Sequence, residues 1–358
     1  MKKKNFAAIA ALTLVGLLVP NGTAQSPAHW SIEIHGGAGG IQRSTTDAKL
    51  DAEYREAIRQ AVEAGGKVLD AGGSALDAVE SAIRTMENTA YFDTGRGAIL
   101  NADGQTELDA AIMDGATLRA GSVAAVKHSP HPITLARAVM EKTSHVMIVG
   151  EGADRFLHDI GGEEVPYAYF FNDGKWNALI DQLKGEGRKL PQRPAWAPPA
   201  TPQASLEQMH LLWRPEQRHY GTVGVVALDR KGNLAAGTST GGSQGKLPGR
   251  VGDSPIIGAG TYASNQSCAV SATGVGEYFI RLNAAREVCN LVQYKGMPLQ
   301  QAADTVIHKE VAGLKGEGGL IAMTPDGRSV WSFNTSGMFR ARLQEGGKPT
   351  VAIFRDEP

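Results

Sequence analysis

Four short segments in the second half of the chain concentrate small hydroxyl residues and glycines: Gly221-Thr222, Thr238-Ser-Thr-Gly-Gly242, Gly249-Arg-Val-Gly-Asp-Ser254 and Ala272-Thr-Gly-Val-Gly-Glu277. A threonine or serine hydroxyl becomes a nucleophile only when a base and an orienting group accompany it. Taken singly, each segment reads as a glycine turn with incidental hydroxyls, and Arg250 with Asp253 reads as an ion pair. Their order and spacing are what set them apart.

Several other patterns fall short of the chemistry they suggest. Gly245-Lys246 resembles the end of a phosphate-binding loop, but Thr240 stands where the earlier glycine is required and Leu247 follows the lysine. Gly258-Ala-Gly-Thr-Tyr-Ala263 fits a loose dinucleotide fingerprint without a βαβ setting, so it reads as a tight turn. His128 and His131 are flanked by Pro130 and Pro132 and share no helix, which argues against a metal pair.

Elements to carry these segments can be read from periodicity. Residues 30–34 alternate like a strand and run into His35-Gly-Gly-Ala-Gly-Gly40. Tyr54, Ile58, Ala61, Val62 and Leu69 share one helical face, and Ser74 with Asp77 forms a capping-box variant before a stripe of Leu76, Val79, Ile83 and Met86. Short strands are expected between residues 97 and 126, a helix over 134–142 and a strand over 146–149. From Lys184 to about Tyr220 the chain holds six prolines and little periodicity, which reads as a mobile linker, a long ordered loop being the alternative. Order returns at Thr222, with strands over 222–229 and 234–240 around a turn. One helix is expected over 277–294, another from Pro298, then strands over 319–323, 329–333 and 350–354. Strands segregated from helices point to an α+β layering.

The bulk numbers agree with a soluble enzyme-sized chain. It has 358 residues, 42 % hydrophobic and 20 % charged, and its 44 glycines follow no fixed period, which excludes a collagen-like fibre. Lys2, Lys3 and Lys4, an apolar stretch over 6–19 and Gly22-Thr-Ala24 make a secretory signal peptide over residues 1–24, so the expected address is periplasmic or secreted. That apolar stretch falls short of the roughly 20 residues needed to span a bilayer, so no membrane association is expected after its removal. Those three lysines are the only charges in residues 1–24, so their loss takes the formal charge from −1 to −4. With no basic run left, nucleic acid is not an expected partner. Cys268 and Cys289 are too few for a disulfide framework, and two buried free thiols are the favoured reading, with pairing left open.

In their order and spacing the four segments resemble the plant-type asparaginase/isoaspartyl peptidases, a family of N-terminal-nucleophile hydrolases. The likeness extends through Ile34-His-Gly-Gly-Ala-Gly39, Glu107-Leu-Asp-Ala110, Leu135-Ala-Arg-Ala-Val-Met-Glu-Lys142, Lys246-Leu-Pro-Gly-Arg-Val-Gly-Asp-Ser-Pro255 and Phe333-Asn-Thr-Ser-Gly-Met338. It implies a four-layer αββα sandwich assembled from an alpha subunit over 25–221 and a beta subunit over 222–358. It further implies self-cleavage between Gly221 and Thr222, which frees the Thr222 amine to act as base beside its own hydroxyl. Thr240 would orient the nucleophile, and Thr273 and Gly274 would form the oxyanion hole. Arg250 would hold the substrate's α-carboxylate and Asp253 its ammonium, with Thr273, Gly274 and Gly276 lining the site. Expected substrates are β-aspartyl dipeptides and L-asparagine, and a dimer of processed units is the expected assembly. No cofactor is required, and a structural sodium ion held by backbone carbonyls near Met86–Asn101 is implied by the likeness alone. The chain departs from the usual Phe-Asn-Ala-Gly at Phe92-Asp-Thr-Gly95, where Asp93 replaces a neutral amide. Glycosylasparaginase is the related alternative, though those relatives carry Asn at the place of Gly241. A periplasmic amino-acid-binding protein that keeps Arg250 and Asp253 but is never cleaved is the non-enzymatic one.

Overall fold

In the strand Val223–Leu228 (β6), alternate residues serve two different cores. Val223, Val225 and Ala227 pack on one side with helical residues, whereas Val226 and Leu228 pack on the other with a second sheet. A strand buried on both faces must lie inside a stack of layers. The computed structural model, which describes residues 29–199 and 219–357, shows that stack.

The larger sheet comprises β1 (Ser31–Gly39), β2 (Leu108–Asp114), β3 (Ala120–Val126), β4 (Met147–Val149), β5 (His219–Tyr220), β6, β7 (Leu234–Thr240), β12 (Gly337–Gln344) and β13 (Thr350–Phe354). Its order is β13-β12-β1-β6-β7-β2-β3-β4, with β5 pairing onto β1. Helices α1 (Ala48–Asp70), α2 (Ala75–Glu87) and α3 (Pro132–Lys142) cover its outer face through Ile58, Leu69, Val79, Ile83 and Val139. The smaller sheet joins β8 (Thr261–Ala263), β9 (Ala269–Gly274), β10 (Gly318–Met323) and β11 (Ser329–Phe333) in the order β11-β10-β9-β8. Beyond it lie helices Gly276–Leu282, Ala284–Lys295 and Leu299–Thr305, which share a core with it through Val288, Leu291 and Ala303. The result is the αββα sandwich.

Local signals explain most boundaries. The Ser74 hydroxyl accepts from the Asp77 N–H at 3.2 Å and Asp77 answers the Ser74 N–H at 3.2 Å, closing the capping box at the start of α2. The helix expected over 277–294 is instead two, broken at Asn283, whose φ of 48° is a left-handed conformation that Asn tolerates. Strand β12 escapes pattern reading because Arg340 is buried within it, satisfied by the Met338 and Phe354 carbonyls.

Two expectations are corrected. Cys268 and Cys289 form a disulfide, with Cα atoms 5.3 Å apart, because the start of β9 packs directly against the buried face of the helix Ala284–Lys295. Residues 186–199 are not a free linker: Trp196 stacks on Tyr167 at 5.4 Å and meets Phe171 edge-on, and Arg188 donates to the Gly245 carbonyl. The rest of that segment, residues 200–218, and the leader over 1–24 lie outside the described residues.

Candidate active site

Strands β6 and β7 are neighbours in antiparallel register, with Val223 opposite Ser239. That register brings Thr222, just before β6, beside Thr240 at the end of β7. The Thr222 hydroxyl donates to Thr240 Oγ1 at 3.0 Å, and Thr240 Oγ1 also accepts from the Gly242 N–H at 3.0 Å. Both threonines are buried, Thr222 at 7 % exposure. A hydroxyl held in one rotamer by a fixed acceptor is pre-oriented for attack.

The peptide bond before Thr222 is equally constrained. The Gly221 carbonyl accepts from the Asp93 N–H at 3.1 Å, so the main chain already polarises the bond that the sequence marks for cleavage. A Cβ at Gly221 would sit 2.2 Å from Asp93 Cβ, so only glycine permits this approach. Asp93 itself is buried, its Oδ1 accepts from the Ile99 N–H at 2.9 Å, and burial pushes its carboxyl up to about 7 against the pull of Lys246 and Lys175. Lys175, buried and bonded to the Arg96 and Phe170 carbonyls, is pushed down to about 7 by the same desolvation. Burial thus moves both groups toward their neutral forms.

A cavity of about 40 Å³ opens beside Thr222 and Thr240 and is walled by Arg250, Asp253, Gly274 and Glu277. Arg250 does not pair with Asp253. It grips Glu277 instead, Nε to Oε1 at 3.0 Å and Nη2 to Oε2 at 2.9 Å. Asp253 is buried, one of its oxygens lacks a partner, and its carboxyl is pushed up to about 7. Burial is the main cause, with Glu277 and Asp109 adding to it and Arg250 opposing. Gly276 fits at the wall because a Cβ there would lie 2.8 Å from Asp253 Oδ1. Thr273, fully buried at the end of β9, takes a long bond from the Ala38 N–H at 3.4 Å.

The structure therefore brings Thr222, Thr240, Arg250, Asp253 and Gly274 around one small space, with Gly221, Thr273 and Gly276 next to these in the chain but not lining it. Sequence reading missed three contributors: Glu277 as the partner of Arg250, Asp109 as a second buried acid, and the Asp93 N–H on the Gly221 carbonyl. None has a local pattern that could announce it.

A larger cleft of about 480 Å³ lies between Asp304, His308, Trp331 and Arg355. None of the candidate catalytic or substrate-binding residues lines it, so size does not mark the site here; convergent chemistry does. Among the described residues no group of three or more His, Cys, Asp or Glu is placed to hold a metal ion. The Thr89 and Phe92 carbonyl oxygens converge over Gly97, where a Cβ would lie 3.0 and 1.9 Å from them. The Phe92 oxygen already accepts from the Thr94 N–H at 2.9 Å, so this close packing holds the loop that carries Asp93 without forming a cation cradle.

A sequence profile of the asparaginase family matches residues 28–353. The chain belongs to the asparaginase family. It is 44 % identical to the isoaspartyl peptidase of Escherichia coli strain K12 over 326 residues, 91 % of this chain and 96 % of that protein. It is 39 % identical to a probable isoaspartyl peptidase/L-asparaginase of Arabidopsis thaliana, over 91 % of this chain and 99 % of the relative. A mouse isoaspartyl peptidase/L-asparaginase shares 38 % identity over 331 residues, 91 % of this chain and 93 % of that relative. Membership of the asparaginase family makes the chain a hydrolase and accounts for the sandwich, whose two sheets meet at the cavity.

Proposed function

We propose that this chain is the precursor of a threonine amidohydrolase that matures by cutting itself before Thr222 and then hydrolyses β-aspartyl dipeptides and L-asparagine. The observation that carries this reading is the Thr222–Thr240 hydroxyl bond opening on the same small cavity as Arg250 and Asp253.

In maturation the Thr222 oxygen attacks the Gly221 carbonyl carbon, the C–N bond breaks, and the acyl group passes from nitrogen to oxygen. Water then hydrolyses the ester, leaving a carboxylate on Gly221 and a free amine on Thr222. That amine titrates near 7.7–8.0 in the unperturbed case, so part of it is neutral at pH 7 and can take the hydroxyl proton. In turnover the same oxygen attacks the side-chain carbonyl of the substrate, expels ammonia or the amine of the second residue, and is regenerated by water. Thr240 orients the hydroxyl, and Thr273 and Gly274 stabilise the oxyanion. No cofactor enters either step.

The substrate's charges complete the cavity. Glu277 holds the Nε edge of Arg250, which leaves the Nη1 side for an α-carboxylate. Asp253, buried and half-satisfied, gains a partner when an α-ammonium enters. A β-aspartyl residue offers both groups free, while an α-linked aspartyl residue has spent its α-carboxyl in the peptide bond. Residues 25–221 and 222–358 would then be the two subunits, and a dimer of such units is the assembly we favour. Export through the leader over 1–24 to the periplasm belongs to the same reading, and the Cys268–Cys289 bond supports it, because disulfides persist in oxidising compartments.

The test is hydrolysis of β-aspartyl-leucine, asparagine and α-aspartyl-leucine by the processed protein. Turnover of the first two with kcat/KM at least about a hundredfold above the third is expected. Equal turnover of both dipeptides would remove Arg250 and Asp253 from substrate recognition.

A further inference from the structure

The ring of His35 takes no part in the steps above, yet it is wholly buried beside the nucleophile. It stands on β1 opposite Gly224 of β6, and a Cβ on Gly224 would lie 2.3 Å from its Nε2 and 1.8 Å from Ser271 Oγ. Burial pushes its imidazole down to about 3, partly offset by the Thr222 main chain, so the ring is neutral at any working pH and too weak a base to take a hydroxyl proton.

A line of buried hydroxyls leads away from it. His35 Nε2 lies 3.0 Å from Ser271 Oγ, Ser271 Oγ lies 2.7 Å from Thr238 Oγ1, and the Thr261 hydroxyl donates to Thr238 Oγ1 at 2.6 Å. Thr261 Oγ1 also lies 3.0 Å from the Ser254 carbonyl, a bond its single proton makes only in place of the one to Thr238. Ser271, Thr238 and Thr261 are all at 0 % exposure. The line crosses between the sheets, since His35 and Thr238 belong to the larger and Ser271 and Thr261 to the smaller.

The bond that Thr261 donates to Thr238 gives the line a direction. Each hydroxyl has one proton to donate. Passing it from Thr261 to Thr238, from Thr238 to Ser271 and from Ser271 to His35 Nε2 uses each once. That assignment leaves the ring proton on Nδ1, a buried atom with no close partner of its own, and the main chain that acts on the ring is that of Thr222. We propose that His35 is a positioning residue for the Thr222 nucleophile and that the Thr261–Thr238–Ser271 hydroxyl line fixes its tautomer. The proposal rests on Thr222 being the nucleophile.

The decisive variant is Thr261→Val, isosteric and at the far end of the line, compared with Thr261→Ser, which keeps the hydroxyl. With the processed enzyme and β-aspartyl-leucine, Thr261→Val should lower kcat about tenfold with KM changed less than about twofold, and Thr261→Ser should recover it. Ser271→Ala should match that loss, and the double variant should be no slower than Ser271→Ala alone, because broken links of one line do not add. If Ser271→Ala fails to fold, the Thr261 pair decides alone. Unchanged kcat in a matured Thr261→Val enzyme would overturn the proposal, as would a loss that Thr261→Ser does not recover. So would full additivity in the double variant. An active Thr222→Ala protein would instead overturn the nucleophile assignment itself.

Discussion

The two halves of the cavity are built on opposite terms. Around Thr222 the reacting groups are hydroxyls and main chain, closely bonded: the Thr222 hydroxyl to Thr240, the Gly242 N–H to Thr240, the Asp93 N–H to the Gly221 carbonyl. Around Arg250 they are charged and supplied by a loop and the start of a short helix. Asp253 is pushed up by burial and has an oxygen without a partner. Chemistry needs fixed geometry, which strand register supplies. Recognition of a zwitterion needs unspent charge, which only a polar group left wanting in a buried place can hold.

If this contrast is right, breaking the charged half should abolish turnover and spare maturation. Arg250→Ala is expected to cut kcat/KM for β-aspartyl-leucine about a thousandfold or more, while the precursor still converts, since the Gly221–Thr222 bond involves no free carboxylate. Timed gels with a turnover assay check both outcomes. Near-wild-type turnover in the matured variant would dissolve the distinction between the halves.

Asp253→Asn sharpens the contrast through pH. The Asp253 carboxyl titrates near 7 when folded, above its ordinary range, so the folded protein holds that proton longer than the unfolded chain. Its charge therefore costs stability as pH rises from about 4 to about 7, and the full cost is present above that. Asn removes the cost, so Tm should rise by about 2 °C or more at pH 8 and little at pH 4, while kcat/KM falls about a hundredfold. Thermal melts at both pH values check the sign, and an equal shift at each would contradict it.

The smallest expected effect belongs to Asp93. Its side chain packs against Gly221, whose carbonyl becomes an oxyanion in self-cleavage, and at pH 8 its charge opposes that oxyanion. Asp93→Asn should speed precursor conversion about three- to tenfold at pH 8, as followed on a timed gel. An unchanged rate would leave the Asp93 side chain without a part in maturation.

Much of this was legible in the residues. The capping box at Ser74, the strands around β6 and β7, and the candidate residues from Gly221 to Gly276 were all found from local pattern or from likeness. What pattern could not show was anything decided by distant chain segments. Glu277 reaches Arg250, and His35 reaches Ser271, only after the sheets have packed. Strand β12 was hidden by Arg340, a buried charge that breaks the alternation on which strand reading depends. The cysteine pairing turned on whether β9 meets the helix behind it, a tertiary fact that spacing does not encode.

The central claim is that Thr222 becomes a new N-terminus and then works as the nucleophile. N-terminal sequencing of the smaller fragment of the purified protein, beside a Thr222→Ala control, tests it most directly. The expected result is a fragment beginning Thr-Val-Gly-Val in the wild type, with the control remaining full length and inactive. A fragment beginning at any other residue, or a Thr222→Ala protein that still cleaves and turns over β-aspartyl-leucine, would contradict it.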